Sequence, residues 1–243
     1  MGLYDELAEW WPLISPVEDY REEAAEYARL LRSSASDAPV ETVLELGCGG
    51  GNNAVFLKES FALTLVDRSA AMLDVSRGAN PECAHVRGDM RDVRLGREFD
   101  AVFVHDAIQY MTTERDLAAA LETAALHCRR GGAVLLCPDV FAETFAPGED
   151  TGGVDRGGRG ARFLEWTRDV RPGDSSYEVD YAFLLREADG TVRHVHDRHT
   201  LGLFPRARWL ELCRAAGLEP DVRPLAGHPG VERILCRKIA KPA

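Results

Sequence analysis

Between residues 41 and 140, short apolar runs alternate with stretches whose apolar positions recur at helical spacing. The runs lie near 42–46, 62–66, 84–87, 100–105 and 133–139. Runs this short, bounded by turn residues, read as strands. The clearest intervening helix covers about 114–129, with Leu117, Ala120, Leu121 and Ala124 on one side. Such alternation predicts a parallel sheet with helices on both faces. Upstream, Leu3, Tyr4, Leu7, Ala8, Trp10 and Trp11 form a short amphipathic stretch. Ser15-Pro16-Val17-Glu18 reads as a helix start, with Ser15 as N-cap, proline in the first turn and an acid three residues after the cap. That helix runs to about Arg32, its apolar side carrying Tyr20, Ala24, Tyr27, Leu30 and Leu31, and a polar linker covers 33–39.

After Asp139 the period changes. Residues 147–160 hold six glycines and read as a mobile loop. Three β-like runs follow at 162–170, 177–186 and 191–204, joined by the turn-forming strings Pro172-Gly173-Asp174 and Ala188-Asp189-Gly190. They predict an antiparallel meander inserted after the fifth strand. An insert there sits above the C-terminal edge of the sheet, where α/β folds bind ligands, and can roof a pocket. A helix at about 206–216 ends at Gly217, a C-cap, and runs at 219–225 and 231–239 close the sheet as a hairpin. The predicted organisation is a helical arm (1–36), a core (37–145 and 205–243) and a β lid (146–204).

The 243 residues suit one large domain with an insert, and 45% apolar residues suffice for its core. A net charge of −11, with no basic run, argues against a nucleic-acid partner. Six cysteines without Cys-x-x-Cys spacing suit a reduced, cytoplasmic setting. No apolar stretch approaches about 18 residues and the first six residues lack a basic region, so no membrane span or secretory signal is expected.

The chemistry centres on Val43-Leu44-Glu45-Leu46-Gly47-Cys48-Gly49-Gly50-Gly51-Asn52-Asn53. An apolar strand ends beside an acid and enters a glycine-rich turn before a short helical stretch at 54–58. Glycines let the backbone reverse and approach a ligand, and a helix N-terminus adds free N–H groups. Two cofactors compete. Gly49 to Ala54 satisfies the loose dinucleotide pattern of NAD enzymes. Glu45, Gly47, Gly49 and Gly51 satisfy acid-x-Gly-x-Gly-x-Gly, which resembles the first motif of the class I S-adenosylmethionine (SAM) methyltransferases. Asp67 ends the second strand, 22 residues after Glu45, where a carboxylate accepts ribose hydroxyls in either class. Ser69-Ala70-Ala71-Met72-Leu73 starts a helix with Ser69 as N-cap, and Arg87-Gly88-Asp89-Met90-Arg91-Asp92 follows the third strand. Both strings resemble later motifs of the same family.

The resemblance implies a doubly wound, Rossmann-like, seven-stranded α/β methyltransferase sheet. It also implies that the glycine loop approaches the methionine part of SAM, that Met72 packs on the adenine and that Asp89 reaches the adenine amino group. Cys48, Arg68, Met90, Arg91 and His105 join these as cofactor contacts. The match sharpens at Asp19-Tyr20-Arg21-Glu22-Glu23-Ala24, Glu143-Thr144-Phe145-Ala146-Pro147-Gly148 and His199-Thr200-Leu201-Gly202-Leu203-Phe204. These strings resemble the N,N-dimethyltransferases of antibiotic amino sugars and their natural-product relatives, in which the arm around Tyr20 closes over the cofactor. The chain departs from that group after the fourth strand. Asp106-Ala107-Ile108-Gln109-Tyr110 stands where those enzymes carry Ser-Ser-Ile-Gly-His or similar.

Methyl transfer is an in-line displacement in which alignment supplies much of the rate and the acceptor must lose a proton. Tyr110, His105 and His199 are the candidate catalytic residues, with Asp106 beside them. Each also suits a plainer role: His105 packing on the cofactor, Tyr110 shaping the pocket, His199 bracing the lid, Asp106 starting a helix. His194-Val195-His196-Asp197-Arg198-His199 invites a metal, but in a strand His194 and His196 face away from His199, and no metal is expected. The expected function is methyl transfer from SAM to a small natural-product acceptor, most directly an amine, with O- or C-methylation as the alternative. Two rivals remain. One is an NAD(P)-dependent oxidoreductase. The other is a non-catalytic SAM-binding module whose lid aromatics Phe163, Trp166, Tyr177, Tyr181 and Phe183 line a partner surface. A homodimer through the outer face of the lid, where Tyr177, Tyr181 and Phe183 share one side, is a further expectation.

Overall fold

Strand β1 (Thr42–Leu46) lies between β2 (Ala62–Asp67) and β4 (Phe99–Val104), parallel to both. With β3 (Ala84–Arg87) and β5 (Cys128–Leu136) these make the parallel part of the sheet. The computed structural model describes residues 2–34, 38–225 and 230–239. Because the order runs outward from β1 in both directions, the crevice between β1 and β4 is the switch point at which such sheets bind ligands.

The second sheet contains β6 (Gly148–Gly152), β7 (Asp155–Arg156), β8 (Arg159–Arg168), β9 (Ser176–Arg186) and β10 (Val192–Gly202). All its pairings are antiparallel. Strands β11 (Leu218–Pro224) and β12 (Glu232–Lys238) return to the first sheet, giving the order β11-β12-β5-β4-β1-β2-β3 with β12 antiparallel to β5. The seven-stranded sheet and the inserted lid are thus as expected.

Helices α1 (Trp11–Ile14), α2 (Arg21–Ser34), α3 (Asn52–Leu57), α4 (Ala70–Ala79), α5 (Glu114–His127) and α6 (Arg206–Ala215) complete the fold. Two apolar layers cover the sheet. One joins α5 and α6 to Leu44, Val102 and Val134; the other joins α2 and α3 to Val43, Leu65 and Phe103. These near-continuous apolar strands are those expected of a sheet buried on both faces. No helix among the described residues is long and apolar enough to cross a membrane. The six cysteines are free, five of them buried.

Several sequence expectations change. The glycine-rich 147–160 segment is not a loop: β6 pairs with β8 from Gly148↔Thr167 to Gly152↔Phe163, and β7 forms a hairpin with β8. Gly152, Gly153 and Gly160 serve close approach. At Gly153, with φ +98°, a Cβ would lie 2.4 Å from the Ala161 carbonyl oxygen. Ser15 does not cap a helix. A 3-10 turn precedes α2, and the Ser15 hydroxyl lies 2.7 Å from that of Tyr20. Tyr177 and Phe183 face inward, 3% and 1% exposed, so they line no partner surface. Phe183 packs with Ala161 and Leu185 against Leu3, Leu7, Trp10 and Leu13, which glues the lid to the N-terminal arm. The apolar side chains left on the outer face are Trp166, Leu184 and Val192. Part of the 33–39 linker, and with it the 36/37 boundary, lies outside the described residues.

Candidate active site

The turn after β1 owes its shape to glycine. Gly47, Gly49 and Gly51 have φ of 76°, 53° and 75°, a region other residues occupy at a cost. A Cβ on Gly47 would come within 2.4 Å of the Ala107 Cβ, so the turn also needs the space. The end of β2 clamps it. Gly47 and Cys48 donate their N–H groups to the Val66 carbonyl at 2.8 and 3.0 Å, and the Gly49 N–H reaches Asp67 Oδ2 at 2.8 Å. Asp67 Oδ1 accepts the Ser69 N–H at 2.8 Å, and the Ser69 hydroxyl caps α4 by accepting the Met72 N–H. Asp67 also lines the cavity described next.

This turn forms one wall of a cavity of about 670 Å³. The other walls come from the ends of β2, β3 and β4, from Tyr4 and Trp11 of the arm, and from Asp197 to His199 of β10. Three polar atoms on its walls are buried without a hydrogen-bond partner: Glu45 Oε2, Asn53 Oδ1 and Trp11 Nε1. Buried polar groups are nearly always paired, so two unsatisfied acceptors and one donor fit a ligand bearing both kinds of group. Burial also pushes the Glu45 carboxyl up to about 8, a penalty that an incoming cation relieves. An amino acid joined through a positively charged sulfur to a nucleoside carries the matching groups, so the residues present fit SAM.

All the cofactor contacts expected from the sequence line this cavity except Gly51 and Met72. Gly51 is packed from behind, its carbonyl accepting from the Asn80 amide at 3.0 Å and any Cβ blocked by Ser76 at 2.3 Å. Met72 is fully buried, with its terminal methyl 3.5 Å from where a Gly49 Cβ would stand. It supports the turn from beneath rather than presenting a face to the cavity. Asp89 takes a fork from Arg91, with Nε at 3.0 Å and Nη2 at 2.7 Å. That pairing, chiefly the Arg91 hydrogen bonds, holds the Asp89 carboxyl below its usual range.

The three candidate catalytic residues fall into two networks. His105 Nε2 lies 3.1 Å from the Tyr27 hydroxyl and 3.4 Å from Glu23, and Nδ1 lies 3.3 Å from Asp106. Burial opposes a charge on this imidazole, but Asp106 and Glu23 outweigh it and raise its pKa well above the ordinary value. Below them Arg233, 6% exposed, donates to the Tyr27 hydroxyl from Nε and Nη2 at 3.2 and 3.0 Å. Asp106 is 53% accessible through the cavity. Desolvation by the surrounding walls works against its charge, yet His105 prevails and keeps it ionised. Asp139 is raised, by desolvation among its neighbours first and then by the negative Asp106, although its side chain reaches the surface.

The second network is a chain of hydrogen bonds. The Tyr110 hydroxyl lies 2.5 Å from His199 Nδ1, and His199 Nε2 lies 2.9 Å from Asp197 Oδ2. The Tyr4 hydroxyl is 3.0 Å from that of Tyr110. Burial raises the pKa of both tyrosines. Sequence reasoning missed Asp197, Glu23, Tyr27 and Arg233 as site residues. For Asp197 the signal was present: residues 197 and 199 share one face of a strand. The other three belong to distant segments that only the fold joins. His196, from the string that suggested a metal, instead bonds Asp180 at 2.8 Å.

The family model described as a methyltransferase domain matches residues 43–132. The dTDP-3-amino-3,6-dideoxy-alpha-D-glucopyranose N,N-dimethyltransferase of Streptomyces fradiae is 32% identical over 223 residues, covering 90% of this chain and 86% of its own. The crystal structure of Streptomyces venezuelae DesVI is 31% identical, covers 91% of this chain and 92% of its own, and superposes with a TM-score of 0.80. SAM-bound CalS10, an amino pentose methyltransferase from Micromonospora echinaspora, is 25% identical over 90% of this chain and 91% of its own, with a TM-score of 0.76. Glycine turn, Asp67 clamp, lid and whole-length similarity agree: the chain belongs to the SAM-dependent methyltransferases, in the group that includes the amino-sugar N,N-dimethyltransferases.

Proposed function

We propose that this enzyme methylates an amine nitrogen of a small natural-product acceptor, of the amino-sugar class its relatives are named for. The observation that carries the reading is that Tyr110 and Asp106, whose carboxylate His105 keeps ionised, line the same cavity. A carboxylate there attracts a protonated amine, and a hydroxyl in a relay offers its proton a way out. Bound SAM supplies a methyl group on a positively charged sulfur. Glu45 and the glycine turn hold its amino-acid end, and Asp67 holds the ribose. His105, kept cationic by Glu23 and Asp106, anchors Asp106 rather than acting as the base. Tyr110 receives the acceptor proton, and His199 takes it onward. Arm and lid exclude water and align the acceptor nitrogen with the methyl. The free cysteines suit a cytoplasmic enzyme. Trp166, Leu184 and Val192 on the outer lid face suit a homodimer, which a monomeric mass by light scattering would refute.

The deciding experiment is calorimetric titration with S-adenosylhomocysteine beside NADH, followed by mass spectrometry of reactions with dTDP-3-amino-3,6-dideoxyglucose. Micromolar binding of the first ligand alone and mass gains of one or two methyls are expected. Binding without transfer to this or any other amine, but with transfer to hydroxyls, would replace the amine reading with O-methylation.

A further inference from the structure

We propose that Asp197 is a positioning residue for acceptor deprotonation, setting the tautomer of His199, and that the N-terminal arm completes this relay. The inference rests on the amine-methylation reading above. A carboxylate only accepts hydrogen bonds, so at 2.9 Å from Asp197 Oδ2 the His199 Nε2 carries the hydrogen. Nδ1 is then a lone pair, and it faces the Tyr110 hydroxyl at 2.5 Å. Tyr110 lines the cavity. As the acceptor ammonium gives a proton to Tyr110 Oη, the tyrosine's own proton passes to His199 Nδ1. The products are a neutral amine, a neutral tyrosine and an imidazolium countered by Asp197. The site is dry enough for that countercharge to count: His199 and Asp197 side chains are 8% and 13% exposed.

The arm closes this relay at two points. The Leu3 N–H donates to the same Asp197 Oδ2 at 2.7 Å, and the Tyr4 hydroxyl stands 3.0 Å from that of Tyr110. The Tyr4 carbonyl is in turn held by the Ser69 hydroxyl at 2.6 Å, next to the Asp67 clamp. The groups facing His199 are Tyr4 from the arm, Tyr110 from the turn after β4, Tyr181 from β9 with ring centroids 5.2 Å apart, and Asp197 on its own strand. Arg198 points to the other face and pairs with Asp180. A folded arm therefore assembles the cofactor pocket and the proton route together.

The test uses Asp197→Asn, whose carbonyl oxygen can keep both the Leu3 and the His199 N–H while the negative charge is lost. With dTDP-3-amino-3,6-dideoxyglucose as acceptor, kcat at pH 7 falls about 100-fold, the scale of acid–base catalysis. S-adenosylhomocysteine affinity stays at the wild-type value, and the unfolding midpoint falls only by the loss of the exposed Arg198 N–H bond to Oδ1. The lost rate returns as pH approaches about 10, where an alkylamine arrives unprotonated. Nitrogen-15 spectra of the wild type show His199 as the Nε2–H tautomer. A wild-type kcat and pH profile in the variant, or a wild-type His199 protonated on Nδ1, overturns the inference. A wild type with the described tautomer that methylates no amine overturns the amine reading, and the role of Asp197 with it.

Discussion

The Gly49 N–H donates to Asp67 Oδ2 at 2.8 Å, which ties the turn after β1 to the end of β2. Asp67 thus organises the site before any ribose arrives. Asp67→Ala removes acceptors for two backbone N–H groups and, in the proposed binding mode, for the ribose. S-adenosylhomocysteine affinity is expected to fall at least about tenfold, and stability by about 1–3 kcal/mol. Calorimetry and urea unfolding check both, and unchanged affinity would show the carboxylate to be away from the cofactor.

Gly47→Ala combines a positive φ of 76° with a Cβ 2.4 Å from Ala107. Gly96→Ala has a similar φ, 68°, but open space around the new atom. The Gly96 variant should lose only the left-handed penalty of about 1–2 kcal/mol. The Gly47 variant should lose more and abolish S-adenosylhomocysteine binding. Equal unfolding midpoints for the two would mean that the turn relaxes.

Tyr27→Phe deletes the acceptor of two Arg233 N–H groups, leaving a buried guanidinium with only the Pro138 and Glu232 carbonyls. The expected cost is about 2–3 kcal/mol, read as a lower urea midpoint. A midpoint within error of the wild type would place Arg233 in water.

Glu45 carries a pH signature. Its pKa is raised by burial to about 8 from an unfolded value of 4.5, so the folded state holds a proton that the unfolded state has released. Between those values the native chain binds more protons, and stability falls as pH rises. The contribution is complete below about 4.5 and lost through about 8. Glu45→Gln should flatten the decline between pH 5 and 8 in ligand-free protein. A variant that tracks the wild type across that range would show Glu45 to be ionised in the fold.

Apolar runs and turn residues determined, from the sequence alone, the seven-stranded sheet, the lid and the cofactor turn. Each depends on local chemistry: period, capping and glycine at fixed offsets. Nearly all the predicted cofactor contacts proved to share one cavity because parallel strands deliver their C-terminal ends to one edge. Local pattern misled where glycine marked close packing instead of freedom, as at Gly153. Tertiary structure alone decided which distant side chains meet around the cavity. Leu3 and Asp197, 194 residues apart, meet only because the lid folds back over the arm. Arg233 reaches Tyr27 only because β12 inserts beside β5. Such contacts follow from packing two sheets and an arm around one cavity, and no spacing along the chain encodes a distance of that kind.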